Sequence, residues 1–217
     1  MKAIALPPLN IPSLLRQYGL HPHKGLGQNF LQDDQLLQKI VNAADLEPED
    51  DVLEIGPGLG NLTRHLALAA HSVTAVELDQ RLLPILNSTI APYPNVRLVQ
   101  GDILELNPAE LMDVPGYIVV ANIPYYITSA VIRHLLESQP CPRRIVLTVQ
   151  QEVASRICTT PGNMSLLALS VQVYGRPSIV GHIPADAFYP SPKVDSSIVR
   201  LDIFRPLPIH TQIWVSW

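Results

Sequence analysis

The sequence predicts an α/β fold in which a mostly parallel, seven-stranded sheet is covered by helices on both faces. Three observations carry this. Short apolar runs alternate with amphipathic stretches of about 10 to 15 residues, the pattern of strand–helix–strand units. The first run, DVLEI (51–55), meets the glycine cluster Gly56-Pro57-Gly58-Leu59-Gly60. The second, SVTAVE (72–77), ends on an acid, Glu77.

Residues 1–32 show little periodicity and hold the glycine-containing loop HPHKGLGQNF, in which GQNF by itself reads as the entry to a helix. From Asp33 the pattern is helical: Leu36, Leu37, Ile40, Val41 and Ala44 share one face behind an acidic cap. After DVLEI, residues 61–70 are helical and SVTAVE is the second strand. Asp79 is expected to cap a helix that Pro84 kinks. VRLV (96–99) is the third strand and YIVVA (117–121) the fourth. Ser129 is expected to cap the amphipathic helix SAVIRHLLES, and RIVLTVQ (144–150) is the fifth strand. The stretch 165–174 is apolar almost throughout and reads equally as helix or strand. SIVGHI and SSIVRLDIF are the last two strands, separated by the proline-rich loop PADAFYPSPKVD.

The composition agrees. A chain of 217 residues supports one good-sized core. With 47% hydrophobic and 16% charged residues it is globular rather than disordered. Its 21 prolines, twice the usual share of about 5%, fall mainly between the apolar runs and punctuate loops. A net charge of −4 gives no overall attraction to nucleic acid, although Arg143, Arg144, Arg156, Arg176, Lys193, Arg200 and Arg205 concentrate in the last third. Two cysteines, Cys141 and Cys158, without metal-ligand spacing point to a reducing cytoplasm. Pro7, Pro8 and Pro12 break any signal-peptide core, and no apolar run reaches the roughly 18 residues of a membrane span. The organisation expected is an N-terminal segment (1–32) contributing to the site, a catalytic domain (33–205) and a short tail (206–217).

In a parallel sheet of this kind ligands bind beyond the carboxyl ends of the strands. There the glycines at 56, 58 and 60 let backbone approach a ligand, but Asn61 stands where a dinucleotide fingerprint wants glycine. Glu77, about 20 residues on, is placed to accept from ribose hydroxyls. Asp102, ending the third strand, accepts either from an adenine amino group or from the turn that follows it. The cofactor is therefore one that contains adenosine. NAD profits from a full phosphate loop, whereas S-adenosylmethionine has no phosphate and needs only close backbone and the two carboxylates, so the latter is favoured.

The segments EIGPGLGNLT, VELD, GDILELN and NIPYYIT, in that order, resemble the successive motifs of class I, Rossmann-like methyltransferases acting on adenine amino groups. GQNFLQD before them and FYPSPKVDSSIVRL after them narrow the resemblance to the ribosomal RNA adenine dimethyltransferase family (KsgA-like), over about Lys24 to Phe204. The resemblance implies dimethylation of adenines in small-subunit ribosomal RNA, a role in ribosome biogenesis, and a cytoplasmic monomer with no membrane partner. It maps cofactor contacts onto Asn29, Leu31, Gly56, Glu77, Asp102 and Asn122, with Gly58 in the same glycine loop. Two alternatives share the motifs: a large-subunit RNA methyltransferase of the antibiotic-resistance type, and a ribosome-assembly protein with a secondary catalytic role. Family members continue into a helical domain where this sequence stops at Trp217, so truncation and natural shortening are both open.

Within NIPYYIT, the chemistry needs hydrogen-bond acceptors that hold an aromatic amine in line for methyl transfer. The Asn122 side-chain oxygen and the Ile123 carbonyl are the candidates, with Pro124 biasing Ile123 toward an extended conformation. Tyr125 offers a ring on which a flipped base stacks, with Phe188 as the second face. Tyr126 is expected to pack beneath the loop. His23, Lys24, Arg143, Arg144, Arg156 and Lys193 are candidate phosphate contacts.

Overall fold

The computed structural model describes residues 6–123, 127–160 and 162–205. Its centre is a seven-stranded sheet of β2 (Asp51–Ile55), β3 (Ser72–Glu77), β4 (Val96–Gln100), β5 (Ile118–Ala121), β6 (Arg144–Gln150), β7 (Gly175–Ile183) and β9 (Ser196–Ile203), in the order β4-β3-β2-β5-β6-β9-β7. β2 through β6 pair in parallel, and β9 runs antiparallel between β6 and β7. A separate ribbon joins β1 (Phe30–Leu31) to β8 (Phe188–Tyr189), antiparallel. Sequence reasoning took GQNF for a helix entry, and the structure turns its last residue into this ribbon.

Strands buried on both faces need apolar residues at every position, which is why the runs lack alternation. Leu53, Ile55, Val119 and Ala121 face one core, closed by α6 (Thr128–Glu137), α7 (Gln151–Ile157) and α8 (Leu166–Gln172). Val52, Val73, Ile118 and Val120 face the other, under α2 (Asp34–Ala44) and α3 (Asn61–Ala69). The five apolar positions expected on one face of α2 are all buried, and Asp33 caps that helix by accepting from Gln35 and Leu36.

Several local expectations are corrected. The N-terminal stretch contains a helix, α1 (Ile11–Gln17), started by Asn10, whose side chain accepts from Ser13 N–H at 3.0 Å. It is held by just two buried residues one turn apart, Ile11 and Leu15, which pack with Phe30, Leu59, Leu82 and Ile85. Asp79 caps a single 3-10 turn, Gln80–Leu82, and Pro84 sits in the first turn of α4 (Leu83–Ile90), where its missing N–H costs nothing and no kink results. Ser129 lies inside α6, which starts at Thr128 without a side-chain cap. The ambiguous stretch 165–174 is helical, as α8, capped by Ser165. A four-residue helix, α5 (Pro108–Leu111), completes the described α-helices.

The chain leaves β2 outward through β3 and β4 and then returns to place β5 on the other side of β2. This reversal opens a crevice at the carboxyl ends of β2 and β5. Ile55 and Ala121 are register partners, so Gly56 and Asn122, the next residues, emerge side by side.

Candidate active site

A cavity of about 220 Å³ occupies that crevice. Each element delivers one wall. The turn after β2 brings Gly56 and Gly58, both with positive φ (71° and 61°), which only glycine adopts without strain. A Cβ at Gly56 would stand 3.6 Å from the Asn122 carbonyl oxygen, and one at Gly58 would touch the Phe30 ring at 3.0 Å. β3 delivers Glu77, the turn after β4 delivers Asp102, and β5 delivers Asn122 and Ile123. The segment Gly27–Leu31 forms the remaining wall, and Phe188 lies opposite its β1 partner Leu31.

The cavity thus gathers Asn29, Leu31, Gly56, Gly58, Glu77, Asp102, Asn122, Ile123 and Phe188, all selected on sequence grounds. Pro124, Tyr125 and Tyr126 lie outside the described residues. Phe188 is only 2% exposed and packs among Leu31, Leu37 and Ile198. A base stacked on it requires that cluster to repack.

The polar groups are connected. Glu77, 5% exposed, accepts from Gly58 N–H at 2.9 Å and from Asp79 N–H at 2.8 Å. Burial raises its carboxyl above the ordinary range, and these two amide donors pull the other way. Asp102 accepts from Leu104 N–H at 2.9 Å, so it caps its own turn while lining the cavity. Asn122 Nδ2 donates to the Asn29 carbonyl at 3.4 Å, which leaves its Oδ1 as a free acceptor among the described contacts.

Two features escaped sequence reasoning. Gln28 Nε2 donates to Asp79 Oδ2 at 2.8 Å, and Gln28 Oε1 accepts from His23 N–H at 2.8 Å, so the segment 23–29 is fastened across the cavity as a strap. Asp79 in turn is gripped by Arg81, whose hydrogen bonds hold its carboxyl at about 2. The second is Glu54, 1% exposed on β2 and part of the cavity lining, with neither carboxylate oxygen hydrogen-bonded among the described residues. An acid between the buried apolar residues Leu53 and Ile55 was the available signal.

Of the candidate phosphate contacts, Arg143 and Arg144 are placed at the amino end of β6, the end of the sheet away from the cavity. Arg143 Nη2 donates to Asp50 Oδ2 at 2.8 Å, and Arg144 binds Asp202 Oδ1 at 2.6 Å and the Ala44 carbonyl at 2.7 Å. Neither charge is free to meet a phosphate. His23 caps the 3-10 turn Lys24–Leu26 through its Nδ1, while Lys24, Arg156 and Lys193 are exposed.

The residues fit S-adenosylmethionine. Positive-φ glycines make a cradle that a Cβ would narrow, two carboxylates stand where ribose and adenine donors are met, and no phosphate-binding glycine is needed at Asn61, whose side chain instead donates to the Leu31 carbonyl at 2.8 Å. The unpartnered Glu54 carboxyl suits a ligand that carries positive charge.

Comparison with known proteins agrees. A model of the ribosomal RNA adenine dimethylase family matches residues 19–217. The chain is 49% identical over 211 residues to a ribosomal RNA small subunit methyltransferase A of Dehalococcoides mccartyi (strain CBDB1), covering 93% of this chain and 72% of that protein. It is 43% identical over 195 residues to the Geobacillus kaustophilus protein of the same name, covering 87% and 67%. Among solved structures, a dimethyladenosine transferase from Plasmodium falciparum superposes with a TM-score of 0.73 at 32% identity, covering 81% of this chain and 64% of that one. The 23S rRNA methyltransferase ErmE superposes with a TM-score of 0.75 at 33% identity, covering 84% and 72%. With the motifs that define such enzymes lining a single cavity, the chain belongs to the ribosomal RNA adenine dimethylase family and takes its methyl groups from S-adenosylmethionine.

Proposed function

We propose that the chain dimethylates the exocyclic amino groups of adenines in small-subunit ribosomal RNA, in the cytoplasm, as a step in ribosome biogenesis. The observation that carries this is the gathering of Asn29, Gly56, Glu77, Asp102 and Asn122 around one cavity at the switch between β2 and β5. When bound there, S-adenosylmethionine supplies an electrophilic methyl group that needs no covalent enzyme intermediate. Glu77 accepts from ribose hydroxyls, and Asp102 accepts from the adenine amino group of the cofactor. Gly56 and Gly58 allow the backbone to close on it.

The target amine is a weak nucleophile because its lone pair is delocalised into the ring. Asn122 Oδ1 and the Ile123 carbonyl accept its two N–H bonds, hold the nitrogen in line and favour its pyramidal form. The Asn122 amide is oriented for this by its donation to the Asn29 carbonyl. Pro124 biases Ile123 toward an extended conformation, and Tyr125 stacks the flipped base, with Phe188 as the second face once its buried cluster repacks. The proton released after each transfer leaves to water, and no dedicated base is assigned.

The small-subunit substrate is favoured by the likeness to the small subunit methyltransferases of Dehalococcoides mccartyi and Geobacillus kaustophilus, at 49% and 43% identity. The ErmE superposition favours a large-subunit substrate instead, at lower identity. Incubation of the protein and labelled S-adenosylmethionine with unmodified small subunits should yield dimethyladenosine in the digested RNA. Labelling of large-subunit RNA alone refutes the proposal. Asn122→Ala is expected to lower turnover by about 10²- to 10³-fold, as loss of one preorganised polar contact to a reacting group does, with cofactor still bound; unchanged turnover removes the amine-acceptor role.

A further inference from the structure

Among the described acidic residues that line the cavity, Glu54 is the one that the cofactor contacts above leave unused. It is the penultimate residue of β2, two positions before Gly56, and its side chain turns toward the α2/α3 face while its neighbours Leu53 and Ile55 turn the other way. β5 sets apolar Val120 beside it and β3 sets Ala75 beside it. From α3 the Thr63 hydroxyl is near, yet neither Thr63 Oγ1 nor either Glu54 oxygen completes a hydrogen bond of acceptable geometry among the described residues. The charge that bears on Glu54 is that of Glu77, also negative, and no described cation acts on it. Among the described residues a carboxylate in such a place has no counter-charge, and the Thr63 hydroxyl is the group near enough to donate to it.

Burial, with Glu77 adding to it and Thr63 opposing it, pushes the Glu54 carboxyl up to about 8. At neutral pH with the cavity free of positive charge the group is therefore mostly protonated. That is how the chain tolerates an acid in its core. It also means that a cation entering the cavity finds an acid whose proton it can displace, because a nearby positive charge favours the ionised form.

We propose that Glu54 is the buried counter-ion for the positive charge of the methyl donor, holding a proton until the donor binds and releasing it to solvent when the donor is in place. The inference rests on the cavity being the cofactor site. The exchange balances: one proton leaves as one ligand positive charge arrives, so the cavity, which already contains Glu77, takes on no unpaired charge of either sign. Linkage then fixes the sign of the pH dependence. The empty protein binds one more proton than the complex, so affinity for the donor rises with pH. The slope approaches tenfold per unit below about 8 and vanishes above it.

The test is calorimetric titration of the protein with S-adenosylmethionine at pH 7, in two buffers of different ionisation enthalpy. The expected result is release of between about half and one proton per ligand, and an affinity that rises several-fold from pH 6 to pH 7. 5′-Methylthioadenosine, which has the adenosine part without the charged groups, is expected to bind with no release. S-Adenosylhomocysteine keeps the ammonium and lacks the sulfonium: release shared with it supports the ammonium as the partner charge, and release confined to S-adenosylmethionine supports the sulfonium. In Glu54→Gln, which replaces the protonated acid by an isosteric amide, the release and the pH slope should disappear. Equal proton counts for the donor and 5′-methylthioadenosine in the unaltered protein, a pH-independent affinity, or undiminished release in Glu54→Gln each overturn the proposal. The first two need no variant to fold. Failure of every adenosine ligand to bind would instead overturn the assignment of the cavity.

Discussion

Replacing Gln28 by alanine removes the side chain that fastens the N-terminal strap. Gln28 Nε2 lies 2.8 Å from Asp79 Oδ2, and Asp79 is only 6% exposed, so the lost partner is a charged acceptor with little water to replace it. Hydrogen bonds to charged groups contribute about 1.5–3 kcal/mol. Arg81 keeps its grip on Asp79, which moderates the loss to the lower part of that range. The strap is also held by the β1–β8 pairing and by Asn61 on the Leu31 carbonyl, so it loosens rather than leaves. If loosening of about 1–2 kcal/mol leaves the closed strap populated at roughly one part in 5 to 30, apparent cofactor affinity falls by that factor. Equilibrium titration with S-adenosylhomocysteine measures the factor, and amide hydrogen exchange over residues 24–29 measures the opening. Affinity within twofold of the parent, with exchange over 24–29 clearly accelerated, refutes the argument, because the strap would then open without consequence for the site. Gln28→Glu sharpens the test. Arg81 keeps Asp79 ionised down to about 2. The introduced carboxyl is therefore the one that takes up a proton first, and the deficit in binding relative to the parent at the same pH should close below about pH 5.

Gly58→Ala should cost about 1–2 kcal/mol from its positive φ alone, and more because the new Cβ meets the Phe30 ring at 3.0 Å. Gly19→Ala is the control, with φ of 64° and nothing within 4 Å; equal losses of thermal stability in the two variants would show that the Phe30 contact is immaterial. At the other end of the sheet, Asp50→Asn should lower stability and leave cofactor affinity unchanged. The Arg143 guanidinium holds the Asp50 carboxyl below the ordinary range, so the contribution is present above about pH 4 and lost as pH falls below it. The stability difference between Asp50→Asn and the parent should accordingly shrink in acid, and a difference that persists unchanged there refutes the pairing. Arg144→Ala should leave the salt dependence of RNA binding untouched, whereas Lys193→Ala should reduce its slope if that exposed lysine meets a phosphate.

The strands were legible for a simple reason: a sheet covered on both faces demands apolar residues everywhere, and DVLEI and RIVLTVQ coincide with β2 and β6. The same uniformity hid α8, whose run of apolar residues has no stripe because Leu166 is 84% exposed and Leu169 half-exposed. Residues placed by position along the chain were equally readable. Gly56 and Asn122 follow directly on strand ends, Glu77 closes a strand and Asp102 stands two residues beyond another, and a parallel sheet aligns those ends. What stayed hidden depends on contacts across the chain. Gln28 and Asp79 are 51 residues apart, and nothing local in GQNF or VELD distinguishes a glutamine that grips an aspartate from one in water. The misplaced phosphate contacts have the same origin, since Arg143 and Arg144 read as free charges until Asp50 and Asp202 come to meet them. Glu54 is the instructive exception. A strand with both faces buried has no place for an acid, so the sequence DVLEI already implies a carboxyl that is neutral, paired, or waiting for a positive charge. The fold excludes pairing among its described residues and opens the cavity beside it, and the cofactor taken by this family brings the charge.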